Sequence, residues 1–279
     1  GRGGDRYVPV TWEHALDLVA DELRRVIAEH GNTAIFGGSY GWASAGRFHH
    51  AKTQLQRFLV RIGGFTGSKE TYSTAAGAVL VKRVVGAPGA SAGGTSWQSI
   101  ADHANLVVMF GGVPLRNTQV TTGGMGAHTT RSWLEQAKAA GTAFCNISPI
   151  RDDAAAFLDA EWLAPRPHSD TAILLALAHT LVQENLYDKA FLSRYCVGFD
   201  RFRAYLCGQT DGVVKDADWA AHLSELPAET IRQLARRMAR GLTFIMSNWS
   251  LQRSYHGKQP FAAVIVLAAM LGQIGLPGG

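Results

Sequence analysis

Ser39 stands in Gly37-Gly38-Ser39-Tyr40-Gly41, a G-x-S-x-G pattern between a predicted strand and a predicted helix. That setting is the nucleophile elbow of α/β-hydrolases, where a sharp turn presents a serine oxygen to a downstream Asp and His. The same residues also read as a tight turn whose glycines permit positive φ, and no H-G-G-G oxyanion loop precedes them. Ser73 and Thr74 open a helical stretch that continues through Val84, where a hydroxyl serves as a helix cap. Metal and nucleotide signatures of the common kinds are missing. H-E-x-x-H is absent, and neighbouring helical residues such as His49 and His50 point about 100° apart, which suits a rim pair better than two ligands. Cys145, Cys196 and Cys207 have no C-x-x-C spacing, so these cysteines build neither a zinc ribbon nor an iron–sulfur site, although one disulfide remains open. No strict G-x-G-x-x-G follows a strand, and Gly257-Lys258 lacks the upstream glycine of a P-loop.

The elements that would position such residues alternate in type. Thr11 caps a helix with apolar positions at Trp12, Leu16, Val19, Leu23, Val26 and Ile27, and Gly31 stops it. A short strand at Ala34-Ile35-Phe36 leads into the glycine loop, and a second helix with Phe48, Leu55, Phe58, Leu59 and Ile62 on one face ends at Gly63-Gly64. Strands are predicted over 106–110, 142–147 and 242–246, and helices near 130–140, 171–183 and 227–240. Such alternation implies parallel sheets covered by helices, with ligand sites in the loops beyond the strand C-termini. The Gly/Ala/Ser stretch from Gly86 to Gly94 reads as a connector near a change of domain.

Composition narrows the class. With 27 Lys and Arg against 22 Asp and Glu in 279 residues, the net charge is +5, and no basic run marks a nucleic-acid or membrane-surface protein. Hydrophobic residues make up 47% and charged residues 18%, below the roughly 25% of an ordinary domain, which excludes disorder. Phe261 to Leu271 is too short to span a membrane and reads as a buried helix. The chain opens at Gly1 without a signal segment and closes on the turn sequence Pro277-Gly278-Gly279, so it is expected to be a piece of something larger.

Several segments in order carry a resemblance: Tyr40-Gly41-Trp42, Thr71-Tyr72-Ser73-Thr74-Ala75-Ala76, Ala178-His179-Thr180-Leu181, Gly208 to Gly212, Trp249-Ser250-Leu251-Gln252-Arg253, His256-Gly257, and Leu271 to Gly279. Together they resemble the molybdopterin S- and N-oxide reductases, the family of dimethyl sulfoxide, trimethylamine N-oxide and biotin sulfoxide reductases. The resemblance implies an α/β fold of two three-layer units with mostly parallel sheets. Residues 1–85 with 243–279 would form the unit carrying the metal-ligand loop, and 86–242 a Rossmann-like unit cradling dinucleotides.

It also implies roles. Ser73 becomes the protein ligand to molybdenum, a hard oxygen donor for a hard metal, completed by two molybdopterin guanine dinucleotides. Tyr40 and Trp42 become hydroxyl and indole donors aimed at the transferred oxygen. Gly41, Trp42, Arg116, Asn117, Thr118, Ser148, Pro149, Arg151, Arg166, Ser169 and Asp170 become cofactor contacts, with Arg166, Ser169 and Asp170 on the guanine side. Trp249, Ser250, Gln252, Arg253, His256, Gly257 and Gln259 join them. The sequence departs from the family at Ser148, where an Asp or Asn is usual, at Asn248 for a glycine, at Lys258 for an acidic residue, and along Gly86 to Gly94.

The implied activity is reduction of a small S- or N-oxide, with electrons from a cytochrome or a thiol reductant and with the redox chemistry residing in the cofactor. The family has periplasmic and cytoplasmic members, the periplasm being favoured. Residues 1–279 alone are expected to be inactive. Two alternatives stand beside this one: a serine hydrolase using Ser39, and a metal-free relative of the same fold.

Overall fold

In the computed structural model, residues 3–39, 49–86, 94–119 and 127–279 are described. Tyr40, Gly41 and Trp42, and most of the Gly86 to Gly94 stretch, lie outside them. The chain divides into two compact units, residues 1–69 with 120–126, and residues 70–119 with 127–279.

In the first unit, helix α1 (Trp12–His30) starts where Thr11 Oγ1 accepts the His14 N–H at 3.3 Å, and it stops at Gly31, whose N–H returns to the Ile27 carbonyl. Helix α2 (Ala51–Arg61) is followed by a turn tied down by Asn32, whose amide donates to the carbonyls of Ile62 and Gly64. The strand expected at 34–36 is not a ladder. Asn32–Ala34 forms a 3-10 turn, and Phe36 makes one parallel bridge with Thr66. Among the described residues no further extended segment lies beside it to lengthen the pairing.

The second unit contains α3 (Ala75–Val85), α4 (Trp97–His103), β1 (Leu106–Phe110), α5 (Thr130–Ala139), β2 (Ala143–Ile147), β3 (Glu161–Leu163), α6 (Asp170–Gln183), α7 (Lys189–Tyr195), α8 (Phe199–Leu206), α9 (Ala217–Ser224), α10 (Ala228–Met238), β4 (Thr243–Ser247) and α11 (Lys258–Met270). The four strands form one parallel sheet in the order β3-β2-β1-β4. Every residue of β1 is buried, because helices cover both faces and the strand has no solvent side to mark by alternation. Leu106, Val108, Phe110, Cys145 and Ile147 face a core shared with α6, α9, α10 and α11. Val107, Met109 and Phe144 face α4 and α5. Burial pushes the Cys145 thiol up to about 12, so it stays protonated and serves as a core side chain.

Residues 243–279 lie in the same compact unit as 70–119 and 127–242. β4 pairs in register with β1 from Leu106↔Thr243 to Phe110↔Ser247, satisfying the backbone of that edge, and α11 packs on α6 and α3. One sheet, not two, is present among the described residues. No described helix is long and apolar enough to cross a membrane.

Candidate functional site

The C-terminal ends of all four strands open on one cleft of about 440 Å³. Its walls come from the segments after β1 (Gly111, Pro114, Arg116, Asn117), after β2 (Ser148, Pro149, Ile150, Asp153), after β3 (Pro165 to His168, and Asp170) and after β4 (Asn248, Ser250, Leu251, Arg253). Strand order reverses around β1, since the chain goes to one side for β2 and to the other for β4. Such a crossover point splays the loops and leaves a crevice for a ligand.

Asp153 organises the two central loops. Its Oδ1 accepts from Arg116 at 2.9 Å, its Oδ2 accepts from the Ser148 hydroxyl at 2.8 Å, and its backbone carbonyl accepts the Val113 N–H at 2.8 Å. The Ser148 oxygen in turn accepts the Ile150 N–H at 3.2 Å. Gly112 lies at φ +67, and a Cβ there would stand 2.4 Å from the Asp153 carbonyl, so the turn after β1 requires glycine. Asn248 joins β4 to this arrangement: its N–H donates to the Phe110 carbonyl, and its side chain accepts from the Ser250 N–H.

Arg166 and Arg253 have no ion-pair partner among the described residues, and Arg116 keeps most of its guanidinium in solvent while bonded to Asp153. Three cations in one cleft therefore suit an anionic ligand. Asp170, the first residue of α6, is largely buried, and burial raises its carboxyl above the usual range. Among the described residues no cation is bonded to it, so this carboxyl is open to a neutral hydrogen-bond donor.

A second concavity, about 720 Å³ and broadly open, is lined by Tyr72, Ser73, Gln252, Arg253, Ser254 and Tyr255. Ser73 is half-buried, and its hydroxyl bonds to no described residue. Thr74, at the helix N-cap, makes no capping bond with its side chain, which stands 3.3 Å from the Thr71 hydroxyl. The capping role expected for these hydroxyls is thus not taken up by either of them. Arg253 borders both concavities.

The cleft brings together Arg116, Asn117, Ser148, Pro149, Arg166, Asp170, Ser250 and Arg253 from the sequence-based set. Others of that set face elsewhere. Thr118 donates to the Leu115 carbonyl, Ser169 to the Arg166 carbonyl, and Arg151 lies over the Trp162 ring. Trp249 stacks on Phe261 with centroids 5.5 Å apart, His256 lies against Tyr255, and Gly257 and Gln259 lie at the start of α11. Asp153 and Asn248 line the cleft without having been expected there. The only hint of Asp153 was a carboxylate one turn past a strand-end serine. Ser39 has no hydrogen-bond partner among the described residues, and no base beside it is found among them.

A family model described as molybdopterin oxidoreductase matches residues 2–279. The chain belongs to that family. Membership implies a molybdopterin cofactor, and the residues fit one: free cations, a buried acceptor and an uncommitted serine hydroxyl lie around adjoining concavities. The molybdopterin oxidoreductase chain is 48% identical over 280 residues to a biotin sulfoxide reductase of Cereibacter sphaeroides, covering all of this chain and 38% of that protein. It is 42% identical over 278 residues to a dimethyl sulfoxide/trimethylamine N-oxide reductase of Rhodobacter capsulatus, covering 34% of it. A trimethylamine-N-oxide reductase of Haemophilus influenzae is 42% identical over 281 residues, also with 34% covered. The chain therefore spans about a third of the length of the curated relatives it matches. Among solved structures, acetylene hydratase from Pelobacter acetylenicus superposes with a TM-score of 0.65 over 97% of this chain and 34% of the other. At 22% identity that likeness speaks for the fold alone.

Proposed function

We propose that the complete protein reduces S- or N-oxides, using molybdenum held by two molybdopterin guanine dinucleotides and by Ser73. The observation that carries this reading is the Ser73 hydroxyl, uncommitted to any described partner and adjoining a cation-lined cleft. When bound, the cofactor would supply oxygen-atom transfer, in which an oxide, two electrons and two protons become the deoxygenated product and water.

The chain's own residues bind and orient. Arg116 and Arg253 hold phosphates, with Asn117 and Ser250 beside them, and Arg166 stands on the guanine side. Asp170 accepts from guanine, and Ser148, whose hydroxyl donates to Asp153, offers its remaining lone pair as an acceptor in the cleft. Tyr40 and Trp42 act as hydrogen-bond donors toward the substrate oxygen, stabilising charge as it develops. The division into two three-layer units, the electron donor (a cytochrome or a thiol reductant) and a periplasmic location belong to the same proposal.

The test uses the complete protein from a host that makes the cofactor. Molybdenum and guanine nucleotide would be measured in the purified protein, and sulfoxide and N-oxide reduction assayed with a dye donor. About one molybdenum and two guanine nucleotides per chain with turnover supports the reading; cofactor-free protein from that host favours the metal-free relative. Esterase activity lost on Ser39→Ala would instead revive the hydrolase.

A further inference from the structure

The amide of Gln252 faces backbone and not the open cleft. Gln252 is only 6% exposed, in the 3-10 turn Trp249–Gln252 that follows β4. Its Oε1 accepts the Gly77 N–H at 2.8 Å, and its Nε2 donates to the Tyr72 carbonyl at 3.3 Å. Turning the amide over would set donor against donor and acceptor against acceptor, so a single orientation serves both ends.

The Gly77 N–H needs this partner. It belongs to the first turn of α3, whose N–H groups have no carbonyl within the helix, and the N-cap Thr74 side chain does not supply an acceptor. The acceptor comes instead from a residue 175 positions further on. The contact is close because Gly77 has no side chain: a Cβ would stand 2.8 Å from Trp249 and 3.0 Å from Phe261. The same short turn therefore seats Trp249 against the bare backbone of α3, bonds Gln252 to it, and sends Arg253 into the cleft.

We propose that Gln252 is a positioning residue that pins the backbone on both sides of Ser73 and thereby sets the serine oxygen relative to the nucleotide cleft. The role toward the metal rests on Ser73 being its ligand, whereas the clamp itself does not.

The experiment compares the complete wild-type protein with Gln252→Met, Gln252→Glu and Ser73→Ala. Hydrogen exchange of cofactor-free protein reads the clamp. In Gln252→Met the Gly77 amide should exchange roughly 5- to 100-fold faster, with β1 unchanged, because a buried donor has lost its acceptor. Gln252→Glu keeps an acceptor and should keep protection at Gly77. Unchanged exchange over 70–80 in Gln252→Met overturns the clamp. In loaded protein, the molybdenum paramagnetic spectrum should shift in Gln252→Met and change more in Ser73→Ala. A spectrum altered by Ser73→Ala but untouched by Gln252→Met overturns the positioning role. If neither variant alters it, the assignment of Ser73 as ligand fails, while the exchange result still stands for the clamp.

Discussion

The cleft at the strand ends and the loop around Ser73 are held in opposite ways. In the cleft the side chains hold one another: Asp153 bonds both Arg116 and Ser148 through its carboxylate. Around Ser73 the backbone is held, by Gln252 and by the Thr71 turn, and the serine hydroxyl is left without a partner among the described residues. The difference follows the chemistry proposed for each. A nucleotide is recognised by several donors and acceptors in fixed directions, so their preorganisation lowers the cost of binding. A metal ligand needs an oxygen free of competing bonds on a Cα that does not wander.

Four substitutions would sharpen or break this contrast. The largest effect is expected for Ser73→Ala: turnover by the complete protein should fall by orders of magnitude with a changed metal spectrum, while its thermal unfolding stays within about 0.5 kcal/mol, as for a side chain with no protein partner. A stability loss near 1 kcal/mol with normal turnover would return Ser73 to a capping role. Gly112→Ala comes next, since it strains a positive φ and collides with the Asp153 carbonyl. A loss of about 2–4 kcal/mol in denaturant unfolding is expected, and a neutral result would mean that the two loops are not packed as described.

Asp153→Ala should cost less in stability, about 1–2 kcal/mol, because its partner Arg116 is solvent-exposed and that arm of the pair is weak. Its clearer effect is on guanine nucleotide retained after gel filtration, which should drop along with the order of Ser148; unaltered retention would remove Asp153 from the site. The smallest effect is expected for Asp170→Asn in cofactor-free protein. Burial holds the Asp170 carboxyl above its ordinary 3.8, so the fold favours the protonated form and is penalised as pH rises through that value. Asn should therefore raise the melting temperature slightly at neutral pH, with the gain disappearing below about pH 3.8. The loaded protein should respond with the opposite sign, losing nucleotide. A gain in both states would take Asp170 out of guanine recognition.

The strands over 106–110 and 143–147, the capped helix from Trp12 and the helices at 130–139 and 170–183 were legible because their apolar runs and stop signals are local. Residues 34–36 show the limit of that reading. A short apolar run carries strand propensity, but a strand exists only where a partner lies alongside, and there a single bridge formed. The strand-end loops after β1 and β2 were readable from the alternation of elements, whereas Arg166, Asp170 and Arg253, which line the same cleft, came only from the family resemblance. Asp153 was not readable, because its importance lies in two hydrogen bonds to residues 5 and 37 positions away.

The sequence by itself determined the family, the alternating elements and the side-chain types that line the strand ends, since each is recorded in local order and spacing. Only the tertiary structure decided that β4 closes the edge of β1, that Trp249 packs inward on Phe261, and that Gln252 reaches back to cap α3 beside Ser73. The physical reason is that a buried backbone donor must find an acceptor wherever the fold brings one, and nothing in the residues next to Gly77 says that the acceptor will arrive from Gln252.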